Sequence, residues 1–201
     1  MDPVIHPIFP TAVYHANIPN ISSPNPKDFK RDVLGGVNSG NEFTTNYHVL
    51  DSKQYKPLKK HIQTHIDNYV KDIVNPATQF NVDITLSHIN WIPKGGFHHI
   101  HDHPNSFLSG VFYFDVDTDD GLNFTIKENI IFLGIYPHQW NYYNSHQWTV
   151  KVNRGDLLIF PSSLLHSVSN VKMQKKRCTL AFNTMIKGSI GGDDLTELTL
   201  R

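Results

Sequence analysis

The sequence predicts a mainly β fold with flanking helices, of the sandwich, jelly-roll or barrel kind. Three observations carry that prediction. From Val82 onward, short runs rich in β-branched and aromatic residues alternate with turn chemistry such as Pro93-Lys94-Gly95-Gly96, Asp119-Asp120-Gly121 and Asn153-Arg154-Gly155-Asp156. Upstream of them one stretch, residues 57–74, repeats its apolar residues at helical spacing. A chain of 201 residues also suits one substantial domain better than two. That domain is read as residues 1–201, with a β core at about 82–185 and N-terminal helical support at about 22–76.

Residues 5–13 (Ile-His-Pro-Ile-Phe-Pro-Thr-Ala-Val) read as an extended opening segment whose prolines suit an edge strand. Ser22-Ser23-Pro24-Asn25-Pro26 is a loop that leads into a short helix over residues 27–34, stopped by Gly35-Gly36. Residues 38–45 are polar and contain glycine, which predicts a loop approaching the functional site. In the longer helix, Pro57 suits the first turn, and Leu58, Ile62, Ile66, Tyr69, Val70 and Ile73 form the stripe that covers one face of a sheet. Asn75-Pro76 ends it, because a residue before proline is pushed out of helical geometry. Strands are expected at 82–92, 107–114, 122–126, 148–152, 157–160, 167–171 and 177–185. Residues 129–147, aromatic and polar, form a lid or a further hairpin, and the tail 188–201 is peripheral.

Several function classes fall away on composition. Eighteen basic residues balance eighteen acidic ones and form no stripe, which argues against a nucleic-acid platform held by phosphate electrostatics. No apolar run reaches membrane-spanning length, and Met1-Asp2-Pro3-Val4-Ile5-His6-Pro7 lacks a charged region ahead of an apolar core. A soluble, cytoplasmic chain is expected, free to act alone or as a homodimer. The single cysteine, Cys178, lies within a strand pattern and reads as a small core residue rather than a nucleophile. His61 and His65, four apart on the helix, lack the glutamate and third ligand that a zinc site of that spacing needs.

Chemistry is concentrated elsewhere. His98, His99, His101, Asp102 and His103 place four imidazoles and a carboxylate within six residues. Imidazole suits iron, copper, nickel and zinc, and carboxylate completes the facial sites of non-haem iron enzymes. On an extended chain, residues two apart share a side, so His101 and His103 can grip one ion while Asp102 points away. His166, at a strand end after Gly155-Asp156-Leu157-Leu158-Ile159-Phe160-Pro161, is the distant third ligand. A bent loop would instead let Asp102 supply the oxygen, and His98 and His99 remain further candidates for ligands or rim residues. Arg177 and Thr179, two apart on the last strand, can hold the far carboxylate of a dicarboxylic co-substrate whose keto-acid end chelates the metal.

These residues resemble a known family. Trp91, His101-x-His103-Pro104-Asn105-Ser106-x-Leu108-Ser109-Gly110-Val111-x-Tyr113, Gly155-Asp156-Leu157-x-Ile159-Phe160-Pro161-x-x-Leu164-x-His166 and Arg177-x-x-Leu180-Ala181-Phe182-Asn183 look like the 2-oxoglutarate/iron(II)-dependent oxygenases of marine bacteria and their phages. Ile8-Phe9-Pro10-Thr11 is similar to that family's start. The resemblance implies a double-stranded β-helix (a cupin-like jelly roll) with helices packed outside. It implies iron(II) on His101, His103 and His166, with Arg177 on the far carboxylate of 2-oxoglutarate. It further implies hydroxylation of an unidentified substrate with release of succinate and carbon dioxide, in the bacterial or phage-infected cytoplasm. One departure stands out: the wider superfamily uses His-x-Asp or His-x-Glu where this chain reads His101-Asp102-His103.

Asn90 is a further co-substrate or substrate contact, and Asn105, Ser109, Trp140 and Tyr142 are candidates for touching a small-molecule or protein side-chain substrate. Two alternatives stay open. One is a cupin-like three-histidine dioxygenase that needs no 2-oxoglutarate. The other is a non-catalytic jelly-roll module, such as a phage structural component.

Overall fold

The computed structural model describes residues 2–38, 40–127, 137–191 and 197–200. The N-terminal third supplies β1 (Tyr14–Asn17), β2 (Arg31–Val33), β3 (Glu42–Thr44) and helix α1 (Lys56–Tyr69). Then come β4 (Asn81–Ile92), β5 (His98–His101), β6 (Leu108–Asp115), β7 (Gly121–Thr125) and β8 (Gln147–Lys151). The chain finishes with β9 (Asp156–Pro161), β10 (Leu165–Val168), β11 (Arg177–Ile190) and β12 (Leu198–Leu200).

Helix α1 forms where the spacing predicts. Pro57 occupies its first turn, and Leu58, Ile62, Ile66 and Tyr69 are its buried face. One wider turn, Val70–Val74, follows, and Asn75 ends it in the left-handed region (φ +45°), which asparagine tolerates better than most residues.

The strands make two sheets. The major one runs β1-β9-β6-β11-β4-β3-β2, with β12 paired to the end of β11, and the minor one runs β5-β10-β7-β8. All the named pairings are antiparallel. Period-two alternation sorts the major sheet's side chains. Leu108, Phe112, Phe114, Leu157, Ile159, Cys178, Leu180 and Phe182 join α1 in the larger core. Their neighbours Tyr113, Leu158 and Phe160 turn the other way and pack on Leu122 and Phe124 of the minor sheet. The same alternation on β11 sends Arg177, Thr179 and Ala181 into the space between the sheets. Strands buried on both faces lose the polar–apolar alternation, which is why Leu157-Leu158-Ile159-Phe160 reads as a continuous apolar run. Gly110 is required where β6 meets β11: a Cβ there would lie 2.2 Å from the Phe182 ring and 2.8 Å from the Leu158 carbonyl oxygen.

Five expectations differ from the structure, the first being the loop over 38–45, part of which pairs between β2 and β4 as strand β3. Residues 5–13 are not a strand; pairing begins at Tyr14, opposite Ile159. Three prolines within residues 3–10 remove ladder donors, and Phe9 sits at φ +59°, almost fully exposed. The helix expected over 27–34 is a single 3₁₀ turn, Pro26–Asp28, capped by the Asn25 side chain, after which the chain enters β2. That stretch lacks an apolar stripe at helical spacing, and β3 offers it a ladder instead (Arg31 opposite Thr44). The N-terminal support is therefore part strand. The strand expected at 167–171 is β10, Leu165–Val168, so His166 sits inside a ladder rather than before one. Finally, the tail extends the sheet: β11 runs on to Ile190 and pairs with β12. Of the expected insertion 129–147, residues 128–136 lie outside the described residues; 137–146 form turns with Trp140, Tyr142 and Tyr143 exposed.

Candidate metal centre

Cross-strand register assembles the histidines. β10 pairs with β5 so that His166 stands directly opposite His101. The chain after β5 stays extended, and the His103 N–H donates to the Ser162 carbonyl (2.9 Å), which carries the pairing past the strand end. His103 therefore faces the same side as His101, as alternation predicts. One nitrogen from each of His101, His103 and His166 lies within 4.8 Å of the others. His103 Nε2 and His166 Nε2 are 3.2 Å apart. Two imidazole nitrogens, each about 2.1 Å from a shared ion at 90–110°, would be roughly 3.0–3.4 Å apart. The spacing fits.

The backbone settles which nitrogen is free. A carbonyl can only accept, so His101 Nδ1–H donates to the His99 carbonyl (2.8 Å) and His166 Nδ1–H to that of Leu164 (2.9 Å). Both rings are left with an Nε2 lone pair, the form a metal needs. Protonation is also opposed. Burial first, then neighbouring imidazoles, pushes His166 down to about 3 and His103 down to about 4, and burial lowers His101. Phe160 stands edge-on to His166 (4.8 Å) and gives the centre an apolar backing.

Asp102 points away, to Lys127 Nζ at 2.9 Å. His99 is gripped twice by Asn38: the Asn38 amide donates to its Nδ1 (2.8 Å), and its own N–H donates to Asn38 Oδ1 (3.0 Å). Asn38, just ahead of β3, thus holds the residue whose carbonyl orients His101. His98 packs on His101 with ring centroids 4.6 Å apart.

Arg177 lies at the other end of the inter-sheet space, only 2 % exposed. Its Nε donates to Asp120 Oδ2 (2.8 Å), and its guanidinium carbon sits 5.2 Å from the centre of the Tyr113 ring. Arg177 Nη2 and the Tyr113 hydroxyl are both buried without a hydrogen-bond partner. Burial holds the Tyr113 hydroxyl protonated by pushing it far up. Thr179 is flanked across the ladders by Asn90 on one side and Tyr113 on the other, so three polar side chains share one row. Because Asp120 already occupies Nε, a carboxylate would meet the Nη2 side of the guanidinium and the adjacent hydroxyls.

Tyr113 and Asp120 escape a reading of the sequence as site residues. Tyr113 looks like one more core aromatic in an apolar strand, and Asp120 like turn chemistry. The row logic that selected Thr179 also points to Tyr113 once β6 is placed beside β11. Among the proposed substrate contacts, Ser109 is committed to a buried chain: its hydroxyl is 2.8 Å from that of Ser162 and donates to Asn183 Oδ1 (2.9 Å). Asn105 is a turn residue at φ +59°. Tyr142 packs 4.4 Å from Trp148, which pairs with Phe124, itself opposite His166. An aromatic row thus leads from the histidines to the exposed loop.

Residues 87–183 match the model of a family described as "Putative 2OG-Fe(II) oxygenase", and the triad, Tyr113 and Arg177 all fall inside that match. The match covers just under half of the chain. Solved structures share the mainly β, jelly-roll fold of this chain. A 2OG-Fe(II) oxygenase family oxidoreductase from Burkholderia pseudomallei is 13% identical (TM-score 0.53; 79% of this chain, 72% of that one). HygX from Streptomyces hygroscopicus, with nickel, 2-oxoglutarate and hygromycin B bound, is 11% identical (TM-score 0.56; 87% and 82%). The non-heme alpha ketoglutarate-dependent epimerase SnoN from nogalamycin biosynthesis is 11% identical (TM-score 0.57; 83% and 70%). No curated protein sequence matches the chain. Among the described residues, no helix is long and apolar enough to cross a membrane.

Proposed function

We propose that this chain is a non-haem iron(II)- and 2-oxoglutarate-dependent dioxygenase that hydroxylates a small molecule or a protein side chain. The observation that carries the reading is the orphaned pair, Arg177 Nη2 and the Tyr113 hydroxyl, which shares one inter-sheet space with three converging imidazoles. His101, His103 and His166 would hold the metal. Arg177 and Tyr113 would take the far carboxylate of the co-substrate, with Thr179 and Asn90 beside them. Charge supports the pairing. Three neutral imidazoles leave a divalent cation uncompensated, and Asp102 is engaged with Lys127, so an anionic chelator is favoured.

Loaded with iron and 2-oxoglutarate, such a site couples decarboxylation to succinate and carbon dioxide with oxygen insertion into a substrate C–H bond. The protein's own share is to anchor the keto diacid at both ends, keep the imidazoles neutral, and exclude water with Phe124 and Phe160. The reading sets the enzyme in the cytoplasm of a bacterium or a phage-infected host.

Anaerobic addition of iron(II) and then 2-oxoglutarate to the apo protein should give a weak visible charge-transfer band that requires both. Admission of oxygen should then release succinate. No band and no succinate would overturn the reading. The all-histidine donor set also suits a dioxygenase that uses no keto acid, and Arg177 separates the two. Replacing it abolishes activity in the proposed enzyme and leaves catalysis intact in the rival.

A further inference from the structure

A fourth imidazole faces the same space. His88 stands on the inner side of β4, opposite Ala181 of β11, and its Nδ1 is buried without a partner. The Tyr47 ring meets it edge-on at 6.0 Å. His103 and His98, on the segment that packs over it, are within electrostatic reach, and burial keeps its ring neutral.

Along this inner face three cross-strand pairs succeed one another: Ile92 with Arg177, Asn90 with Thr179, and His88 with Ala181. Successive pairs are about 6.8 Å apart along the strands, two residues at a time. The Arg177 side chain reaches over Tyr113, in the second of these rows. A five-carbon diacid whose far carboxylate meets that guanidinium therefore brings its other end to the His88 row. There the opposing Ala181 offers only a methyl group, and the imidazoles of the minor sheet face it. A buried donor with nothing to bond is costly to keep unless a ligand completes it.

We propose that His88 donates a hydrogen bond through Nδ1–H to the keto-acid end of the bound co-substrate. This rests on the 2-oxoglutarate reading above and adds the residue that orients the chelating end. His103 and His98 are the titratable groups that act on His88, His101 and His166 stand beside them, and Asp102 is turned outward to Lys127.

The test uses metal-loaded protein under anaerobic conditions, with 2-oxoglutarate and oxalate as titrants. Oxalate carries a chelating end but no distant carboxylate. His88→Leu should weaken both titrants by roughly 10- to 100-fold, the loss expected of a hydrogen bond to a charged group. Metal affinity should stay within a few-fold, and the apo melting temperature should not fall. His88→Asn, which keeps an amide near the Nδ1 position, should recover part of the loss, whereas Arg177→Met should weaken 2-oxoglutarate and spare oxalate. Wild-type affinity for both titrants in His88→Leu would overturn the inference while leaving the parent reading standing. So would a matching loss of metal affinity, which would make His88 a support for His103. Failure of the wild-type protein to bind 2-oxoglutarate would sink both.

Discussion

Tyr113→Phe should move stability and ligand affinity in opposite directions. The Tyr113 ring is 0 % exposed and packed between the sheets, and phenylalanine fills the same space without leaving a cavity. What is lost is one hydroxyl, buried and without a hydrogen-bond partner. The Arg177 guanidinium polarises it from above but does not meet hydrogen-bond geometry. Leaving such a group unsatisfied costs about 1–3 kcal/mol. Because Arg177 recovers some of this, the lower end applies, and relief of about 1 kcal/mol raises the melting temperature of a domain this size by roughly 2–4 °C. In the liganded protein the same hydroxyl would donate to a carboxylate, a bond worth about 1.5–3 kcal/mol, so affinity for 2-oxoglutarate should fall roughly 10- to 150-fold. Thermal melts of the apo protein and anaerobic calorimetric titration of the metal-loaded protein read the two effects separately. A lowered apo melting temperature together with unchanged 2-oxoglutarate affinity would refute the assignment of this end of the pocket.

Other perturbations give equally definite expectations. His166→Ala should abolish stoichiometric binding of iron(II) or cobalt(II), while Asp102→Ala should leave it within a few-fold, since that carboxylate is engaged with Lys127; the reverse order would restore a carboxylate-containing site. Arg177→Met leaves the largely covered Asp120 without its cation and should cost up to about 3 kcal/mol, whereas Arg177→Met with Asp120→Asn should regain most of that stability yet still not bind 2-oxoglutarate. Denaturation by urea between pH 7.5 and 4 should show stability falling with acidity. Burial pushes His88 and His103 down to about 4 and His98 and His166 down to about 3, from an ordinary 6.5, so their contribution is full above pH 6.5 and is lost as pH drops toward those values. Each proton taken up only by the unfolded chain adds about 1.4 kcal/mol per pH unit to the slope, and a flat profile would contradict the burial of these rings.

The elements legible from local pattern were those whose residues face one environment throughout. Leu58, Ile62, Ile66 and Tyr69 mark α1 because a single stripe is buried, and β9 is plain because both its faces are. Alternation also sufficed to turn His101 and His103 inward and Asp102 outward. Reading failed where a distant partner decided the outcome. β2 exists because β3 offers it a ladder, not because Arg31-Asp32-Val33 asks for extension. Nothing near Tyr113 in the chain says that its hydroxyl will be left unbonded, and Arg177 finds its carboxylate in a turn 57 residues away. The Arg177–Thr179 spacing indicated a shared face but could not disclose that Asp120 had already claimed Nε.

The grip of Asn38 on His99 reaches further than its two hydrogen bonds. Asn38 precedes residues 87–183 in the chain, as does α1, which seals the outer side of the major sheet. A protein trimmed to the matched stretch would retain every proposed ligand, yet it would lose the strut that aims His101 and bare an oily wall to water. The N-terminal third is thus scaffolding on which the proposed centre depends, and grafting that centre elsewhere would require carrying the scaffold along.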